Sequence, residues 1–409
     1  MNNRIIIGNQ LIPIDHQEFE VVERKGIGHP DTLADGIAEK LSLEYAKYCL
    51  KKFGVVLHHN LDKVTVTGGL VNIDFGKGEM IKPAKLFING RMSDSFGNQK
   101  INIPDFQRKV VFDYLPHVLP HFEPHKWLEF HSFTNTYSHN PYWYHPRGLE
   151  DLPDSESPHA NDTSTCIGYW PLSLLERAVL SIEGYFYTRE GNPKYRYIGQ
   201  DIKIMATRIK RDIHVIACIP FISRYTPHES FYKTKLKEIR QRLIQTTKKM
   251  LPPSYSIDIT INTADNPSKH DYYLLLTGSC IEAGEEGVVG RGNHSRGTIA
   301  CLRPHSMEAP AGKNPVYFVG KVMNVLGDSL SRVISTAFDC YCDVIITTRN
   351  KDPLFEPAII HLNTSKKISS YLALSIVKKH LSYAYWTQDI INKSLLLPRP
   401  GKGNVYYLT

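Results

Sequence analysis

No stretch of this sequence approaches the roughly 20 consecutive apolar residues that a membrane-spanning helix requires. Residues 1–15 also lack the apolar segment of a secretory signal, so the expected location is cytoplasmic, with no membrane partner. Cysteine is sparse and scattered. The closest pair, Cys340 and Cys342, has no second pair at zinc-site spacing, and free thiols in a reducing compartment are the expectation. Internal repeats are absent. So is the G-x-x-x-x-G-K-[ST] spacing of a P-loop around Lys313, which removes the ordinary nucleotide-hydrolase reading. The net charge of +8 is not gathered into a tail, and it suits a nucleic acid or a polyphosphate equally.

With 409 residues and 42% hydrophobic composition the chain can bury a large core, more naturally as two or three units than as one. Leu33, Ile37, Leu41, Tyr45 and Tyr48 recur at helical spacing over 32–50, with Asp31 placed to cap that helix. Residues 64–69 read as a strand ending in Gly68-Gly69. The stretch 116–158, rich in Pro, His, Tyr and Trp, has no period and is expected to be an irregular insertion or a lid. Ser173 with Glu176 forms a capping-box pattern ahead of Leu175, Ala178, Val179 and Ile182. Residues 201–209 and 213–219 read as a hairpin, 231–250 as a basic helix, and 256–262 and 272–277 as further strands. Strands and helices alternate without a strict βαβ rhythm, so the expected class is α+β.

Four segments gather charge and glycine in a way no core requires. In Lys25-Gly-Ile-Gly-His-Pro-Asp31 the glycines would let backbone N–H groups approach an anion, Asp31 could hold a divalent metal, and His29 could donate to a phosphate oxygen. Such a turn is equally a plain helix cap. Asp201 and Lys203 share one face of a strand, as metal and phosphate ligands or as an exposed ion pair. The segments 284–293 and 311–315 each set a cation, Arg291 and Lys313, on a glycine-rich turn suited to a phosphate chain. Six histidines (His117, His121, His125, His131, His139, His145) raise a transition-metal alternative within the insertion, but interleaved prolines spoil any helical His face. The helix over 231–250 spreads its lysines and arginines all round without an aromatic platform, which favours a solvated face over nucleic-acid binding.

Taken in order, Glu23-Arg-Lys-Gly-Ile-Gly-His-Pro-Asp31, His58-His-Asn-Leu-Asp-Lys63, Ala160-Asn-Asp-Thr-Ser164, Ser223-Arg-Tyr225, Ile261-Asn-Thr-Ala-Asp265 and the stretch 284–313 resemble the archaeal-type methionine adenosyltransferases, the S-adenosylmethionine synthetases. The resemblance implies a fold of three similar α/β units with mixed and antiparallel sheets, built from interleaved, discontinuous stretches of the whole chain. It implies ATP as substrate, Mg2+ as cofactor with K+ a further candidate ion, and a homodimer with shared active sites. The thioether sulfur of methionine would attack the ribose C5′ and the whole triphosphate would leave, to be cleaved to phosphate and diphosphate. Carried over by position, His29 resembles the histidine near the triphosphate, Asp31 the magnesium ligand, and Lys203, Arg291 and Lys313 the phosphate cations. Asp201 resembles their carboxylate companion, Asp162 the partner of the methionine amino group, and Glu285 stands where the family has aspartate. Asp62 and Lys63 fall within a matching motif as further binding candidates.

Departures collect where the methionine end is expected. Leu70 replaces a polar residue, Phe130-His-Ser-Phe-Thr-Asn-Thr-Tyr137 replaces a glycine-rich loop, Thr165 and Cys166 replace Phe-Gly, Trp170 replaces a small residue, and Tyr317-Phe318 replace a small polar residue and His. The first expectation is S-adenosylmethionine formation. The alternatives are adenosyl transfer to a different small acceptor and an inactive ATP-binding regulatory homologue.

Overall fold

The computed structural model describes residues 4–188 and 194–403. Three sheets organise them, each backed by helices over its own apolar core. The first runs Gly287–Val288, His59–Thr67, Ala84–Met92, Leu128–Asn135, and packs on α1 (Pro30–Phe53) and α2 (Ile103–Val118). The second runs Ser256–Ile261, Asp212–Cys218, Lys203–Ile209, Phe19–Lys25, Ile299–Ala300, a short helix α3 (Pro124–Trp127) having intervened in the chain. Its core is closed by α4 (Leu174–Tyr185) and α5 (Glu229–Lys248). The third runs Arg4–Gly8, Ile359–Thr364, Cys342–Thr347, Thr165–Trp170, covered by α6 (Val319–Phe338), α7 (Ser370–Leu381) and α8 (Trp386–Lys393).

Each sheet is mixed: one parallel pair at an edge, the remaining pairs antiparallel. The α+β expectation therefore holds. Strand alternation explains the layering, since Ile204, Ala206 and their neighbours Ile213, Val215 and Ala217 are buried against the helices while the intervening residues, among them Thr207, His214 and Ile216, face the other way. The capping box is present: Ser173 Oγ accepts from Glu176 N–H at 3.0 Å and the Glu176 carboxylate accepts from Ser173 N–H at 2.7 Å. The hairpin and the basic helix also fall where expected, and α5 carries surface ion pairs such as Lys235–Glu238.

Two expectations are corrected. The cap of α1 is His29, whose Nδ1 accepts from Asp31 N–H at 3.2 Å, while Asp31 lies inside the first turn after Pro30. The stretch 116–158 is not irregular throughout: α2 continues through Pro116 to Val118, and Leu128–Asn135 forms the parallel edge of the first sheet. Its histidines disperse, His125 meeting Phe112 edge-on, His131 stacking on Phe87 and His145 pairing with Asp94. No three His, Cys, Asp or Glu side chains converge as a metal group among the described residues. Among the same residues, no helix is long and apolar enough to cross a membrane.

Candidate active site

The strand Phe19–Lys25 runs into the glycine turn and then into α1. Gly26 donates to Ile202 O at 2.7 Å and Gly28 to Gln200 O at 3.0 Å, while Ile27 N–H donates to Glu183 Oε1 at 3.1 Å. A Cβ on either glycine would stand 2.6 Å from the backbone of 200–202. The turn's amides are thus spent on protein carbonyls and a carboxylate, not left for an anion as the sequence suggested. Their effect is to draw His29 against the segment that carries Asp201 and Lys203.

That juxtaposition walls a cavity of about 330 Å3 lined by His29, Asp201, Lys203, Tyr273, Cys280 and Glu285, among others. Four of the sequence-chosen residues meet there. Burial pushes the His29 imidazole down to about 4, against the pull of the Asp31 carboxylate. It is neutral at pH 7, and with Nδ1 accepting from the helix the proton belongs on Nε2, where it can be donated to an anion. Asp201 accepts from Cys280 N–H at 2.8 Å, yet burial pushes its carboxyl up to about 7. Lys203 is half-exposed, 3.8 Å from Glu23 Oε1, and Glu285 stands exposed at the rim.

Asp31 is the hinge between this cavity and the loop bearing Arg291. Its Oδ2 receives Lys25 Nζ at 2.8 Å and its Oδ1 receives Val288 N–H at 3.1 Å. One helical turn later Asp35 Oδ1 receives Gly290 N–H at 2.8 Å. Glycine is required at Gly287, where a Cβ would lie 2.1 Å from the Pro30 carbonyl, and suits Gly290, whose φ is +86°. Arg291 is thereby held exposed above the start of α1. Lys25, Asp35 and Glu183 were not among the sequence-chosen residues. Asp31 and Asp35 at i, i+4 were the one visible sign.

Lys313, Asp62, Lys63 and Asp162 do not line this cavity. Lys313 sits on the turn beside the strand His59–Thr67, bridged to Asn60, with its ammonium on Glu308. Gly312 N–H donates to Glu39 Oε2 at 3.1 Å, and the same oxygen takes the buried Lys321 ammonium at 2.7 Å, which fixes the turn. Lys63 pairs with its neighbour Asp62 at 2.7 Å. Asp162 is exposed, anchored through its carbonyl to Thr348 Oγ1 at 3.0 Å. A second cavity, about 380 Å3, lies behind the Arg291 loop, with Asp35, Asn293, His294, Arg296 and Glu308 in its wall.

The five residues expected to reshape a substrate pocket line neither cavity. Leu70 opens the exposed hairpin strand Leu70–Asp74, and Thr165 Oγ1 meets Thr347 Oγ1 at 3.1 Å within the third sheet. Trp170 ends that sheet's strand beneath the Arg332 guanidinium, 4.8 Å from its ring centre. Tyr317 is buried, its hydroxyl 2.6 Å from His58 Nδ1, and it packs against Phe318; the Trp143 ring meets His58 at a near-perpendicular angle. Tyr317 and His58 thus form an aromatic anchor for Trp143 and Tyr144.

A pH dependence follows from the buried carboxyls. Asp35, Asp201 and Glu282 are each pushed by burial up to about 7 from ordinary values of 3.8, 3.8 and 4.5. The folded protein therefore holds protons the unfolded chain has released, and this stabilisation is lost as pH rises through 7. The buried histidines His29, His58 and His59 act in the opposite sense near and below their ordinary 6.5, where unfolded imidazoles take up protons that the folded ones refuse. The test is therefore the difference in melting temperature between Asp201→Asn and the unmodified protein, followed through pH 7 at constant ionic strength. Asp201→Asn removes one raised carboxyl, so its melting temperature should gain on that of the unmodified protein as pH rises. A difference that stays constant over this window would contradict the assignment.

Residues 3–382 match the family model described as S-adenosylmethionine synthetase (AdoMet synthetase). The chain is 39% identical to an uncharacterized protein of Streptococcus pyogenes serotype M3, over 98% of each chain. It is 33% identical to the S-adenosylmethionine synthase of Pyrobaculum aerophilum, over 88% of this chain and 90% of that one. It is also 33% identical to a probable S-adenosylmethionine synthase of Aquifex aeolicus, over 90% and 92%. Among solved structures, an unusual S-adenosylmethionine synthetase from Campylobacter jejuni superposes with a TM-score of 0.58 at 15% identity, covering 93% of this chain and 90% of that one.

Proposed function

We propose, from the premise that the chain belongs to the S-adenosylmethionine synthetase family, that it is an adenosyltransferase joining ATP to methionine. Its immediate products would be S-adenosylmethionine and triphosphate, the latter cleaved to phosphate and diphosphate. The observation that carries this reading is the cavity at His29, Asp201, Lys203 and Glu285, beside the fastened Arg291 loop.

The chemistry asks for little besides charge. A thioether sulfur has no proton to lose, so no general base is needed; the S–C5′ bond forms while the C5′–O bond breaks, and the electron pair leaves on the triphosphate. What must be stabilised is that oxyanion, and preorganised cations and N–H donors do so without reorganising in the transition state. In this reading the His29 Nε2–H, Lys203 and Arg291 face the leaving group, and the buried Asp201 orients what Lys203 meets.

The donor set around Asp31 fits a magnesium ion. Its carboxylate and the Arg291 carbonyl already hold a cation, the Lys25 ammonium, between two hard oxygens. Magnesium characteristically takes one or two carboxylates and completes its shell with phosphate oxygens and water, so a triad of acids is not needed. Bound there, the ion would neutralise charge on the phosphate chain. Asp162, Asp62, Lys63 and Lys313, which lie outside the cavity, would in this reading complete the site from a second copy of the chain.

A different acceptor would be favoured had Leu70, Thr165, Trp170, Tyr317 and Phe318 formed one wall. None of the five lines either cavity, so the walls described here give no ground for an acceptor other than methionine. Mass spectrometry after incubation with ATP, Mg2+, K+ and methionine should find S-adenosylmethionine, with phosphate and diphosphate in equal amounts, and none without methionine. Bound ATP with no adenosylated product would overturn the proposal in favour of a different acceptor or the regulatory reading.

A further inference from the structure

The strand Phe19–Lys25 ends on a lysine whose backbone is clamped and whose head is not buried in a core. Asn293 grips Lys25 from both sides, its Oδ1 accepting from Lys25 N–H at 2.9 Å and its Nδ2 donating to Lys25 O at 2.6 Å. Thr32 Oγ1 adds a third contact to the same carbonyl at 3.2 Å. The ammonium then spans from Asp31 Oδ2, at 2.8 Å, to the carbonyl of Arg291, at 2.6 Å. Lys25 stands directly opposite Lys203 in the antiparallel ladder, so the two ammonium stems rise from adjacent strands towards the same site.

We infer that Lys25 is the resident cation of this site: its ammonium occupies the seat on Asp31 that a divalent cation takes, and on the metal's arrival it transfers to an oxygen of the polyphosphate. This rests on the reading of Asp31 as the metal carboxylate. An ammonium is a compact point charge on a flexible four-carbon stem, so the head can swing while the clamped backbone stays. Without it, Asp31 would stand without a counter-charge one turn from Asp35, and the Arg291 loop would lose one of its ties to the strand, Asn293 keeping the others. Once displaced, the charge needs an anion, and the nearest demand is the one Lys203 also serves.

The consequence is linkage. Metal alone must compete with Lys25 for Asp31, so it binds weakly; metal together with polyphosphate gives the displaced ammonium a partner, so each tightens the other's binding. Lys25 is in this sense a positioning residue in the empty state and a phosphate donor in the filled one.

The test uses the full-length protein without ATP. Mn2+ retained by the protein is measured by ultrafiltration, with and without inorganic tripolyphosphate and against protein-free controls, for the unmodified chain, Lys25→Met, Lys25→Arg and Asp31→Asn. Lys25→Met should bind Mn2+ alone about fivefold to tenfold more tightly, as expected for removing a competing unit charge at a partly exposed carboxylate. It should also lose the enhancement that tripolyphosphate gives the unmodified protein. Lys25→Arg keeps the charge and should retain weak metal binding and most of the coupling, which a merely structural lysine would not predict. If Asp31→Asn abolishes Mn2+ binding while Lys25→Met leaves both affinity and coupling unchanged, the inference is overturned and the metal reading stands. If Asp31→Asn binds Mn2+ as the unmodified chain does, the metal reading falls, and this inference with it.

Discussion

Replacing Lys203 with methionine is expected to lower kcat by about two to three orders of magnitude, the usual loss when one preorganised donor to a developing oxyanion is removed. The fold should survive. Lys203 is the first residue of its strand, its side chain is 44% exposed, and its ion-pair partner, Glu23, is 3.8 Å away. A surface pair of that kind contributes at most about 1 kcal/mol. The contrast between a large kinetic and a small stability effect is the informative part. A rise in KM for ATP with kcat unchanged would mean that Lys203 binds ground state and transition state alike, and the assignment to the leaving group would fail. Lys203→Arg keeps the charge and should recover part of kcat.

How the site was legible in the sequence follows from what local pattern can encode. His29, Asp201, Lys203 and Glu285 were visible as charge on glycine turns, and they meet in one cavity. The helix α4 was visible because its cap, Ser173 with Glu176, is closed within three residues. The strand Leu128–Asn135 was hidden because it is an edge: Leu128 and Phe130 turn to the core while His131 and Phe133 stack on the open face beside Phe87, so both faces look aromatic or apolar and no period emerges. The strand His59–Thr67 was read as starting later than it does, since its first five residues are mostly polar and only His59 and Leu61 are buried, His59 held by Ser42 and by the Leu57 carbonyl. Lys25 and Asp35 escaped for a similar reason. Their partners, the Arg291 carbonyl and Gly290 N–H, lie more than 250 residues away in sequence, and the spacing of Asp35 one turn after Asp31 is the only local trace. The glycine turn misled in the opposite sense: its composition suits an anion, but tertiary packing had already claimed its amides.

Glu183→Ala is expected to cost about 3–5 kcal/mol of stability, the range for stripping one partner from a buried ion pair. Both side chains of the Arg24–Glu183 pair are at most 2% exposed, with Arg24 Nη2 2.8 Å from Glu183 Oε2. Glu183 Oε2 also takes Arg24 Nε–H at 2.8 Å and Gly401 N–H at 2.7 Å, and its Oε1 takes Ile27 N–H at 3.1 Å. Arg24 in turn donates to the carbonyls of Gly297 and Arg399. One carboxylate on α4 therefore joins the His29 turn, the loop after Arg291 and the segment near residue 400. Removing it leaves a guanidinium in a dry interior without counter-charge and frees the Ile27 amide that sets the turn. Glu183→Gln keeps an acceptor for the amides and should lose less. The denaturation midpoint in urea measures the cost, and a loss under about 1 kcal/mol would show that the pair is not the tie it is taken to be. Activity should decline at temperatures where the variant is still folded, because His29 follows Ile27 by two residues and its position depends on the same bond. A variant that loses stability yet keeps kcat would separate the tie from the site, and would mean that the contacts of Gly26 and Gly28 with 200–202 suffice to place His29.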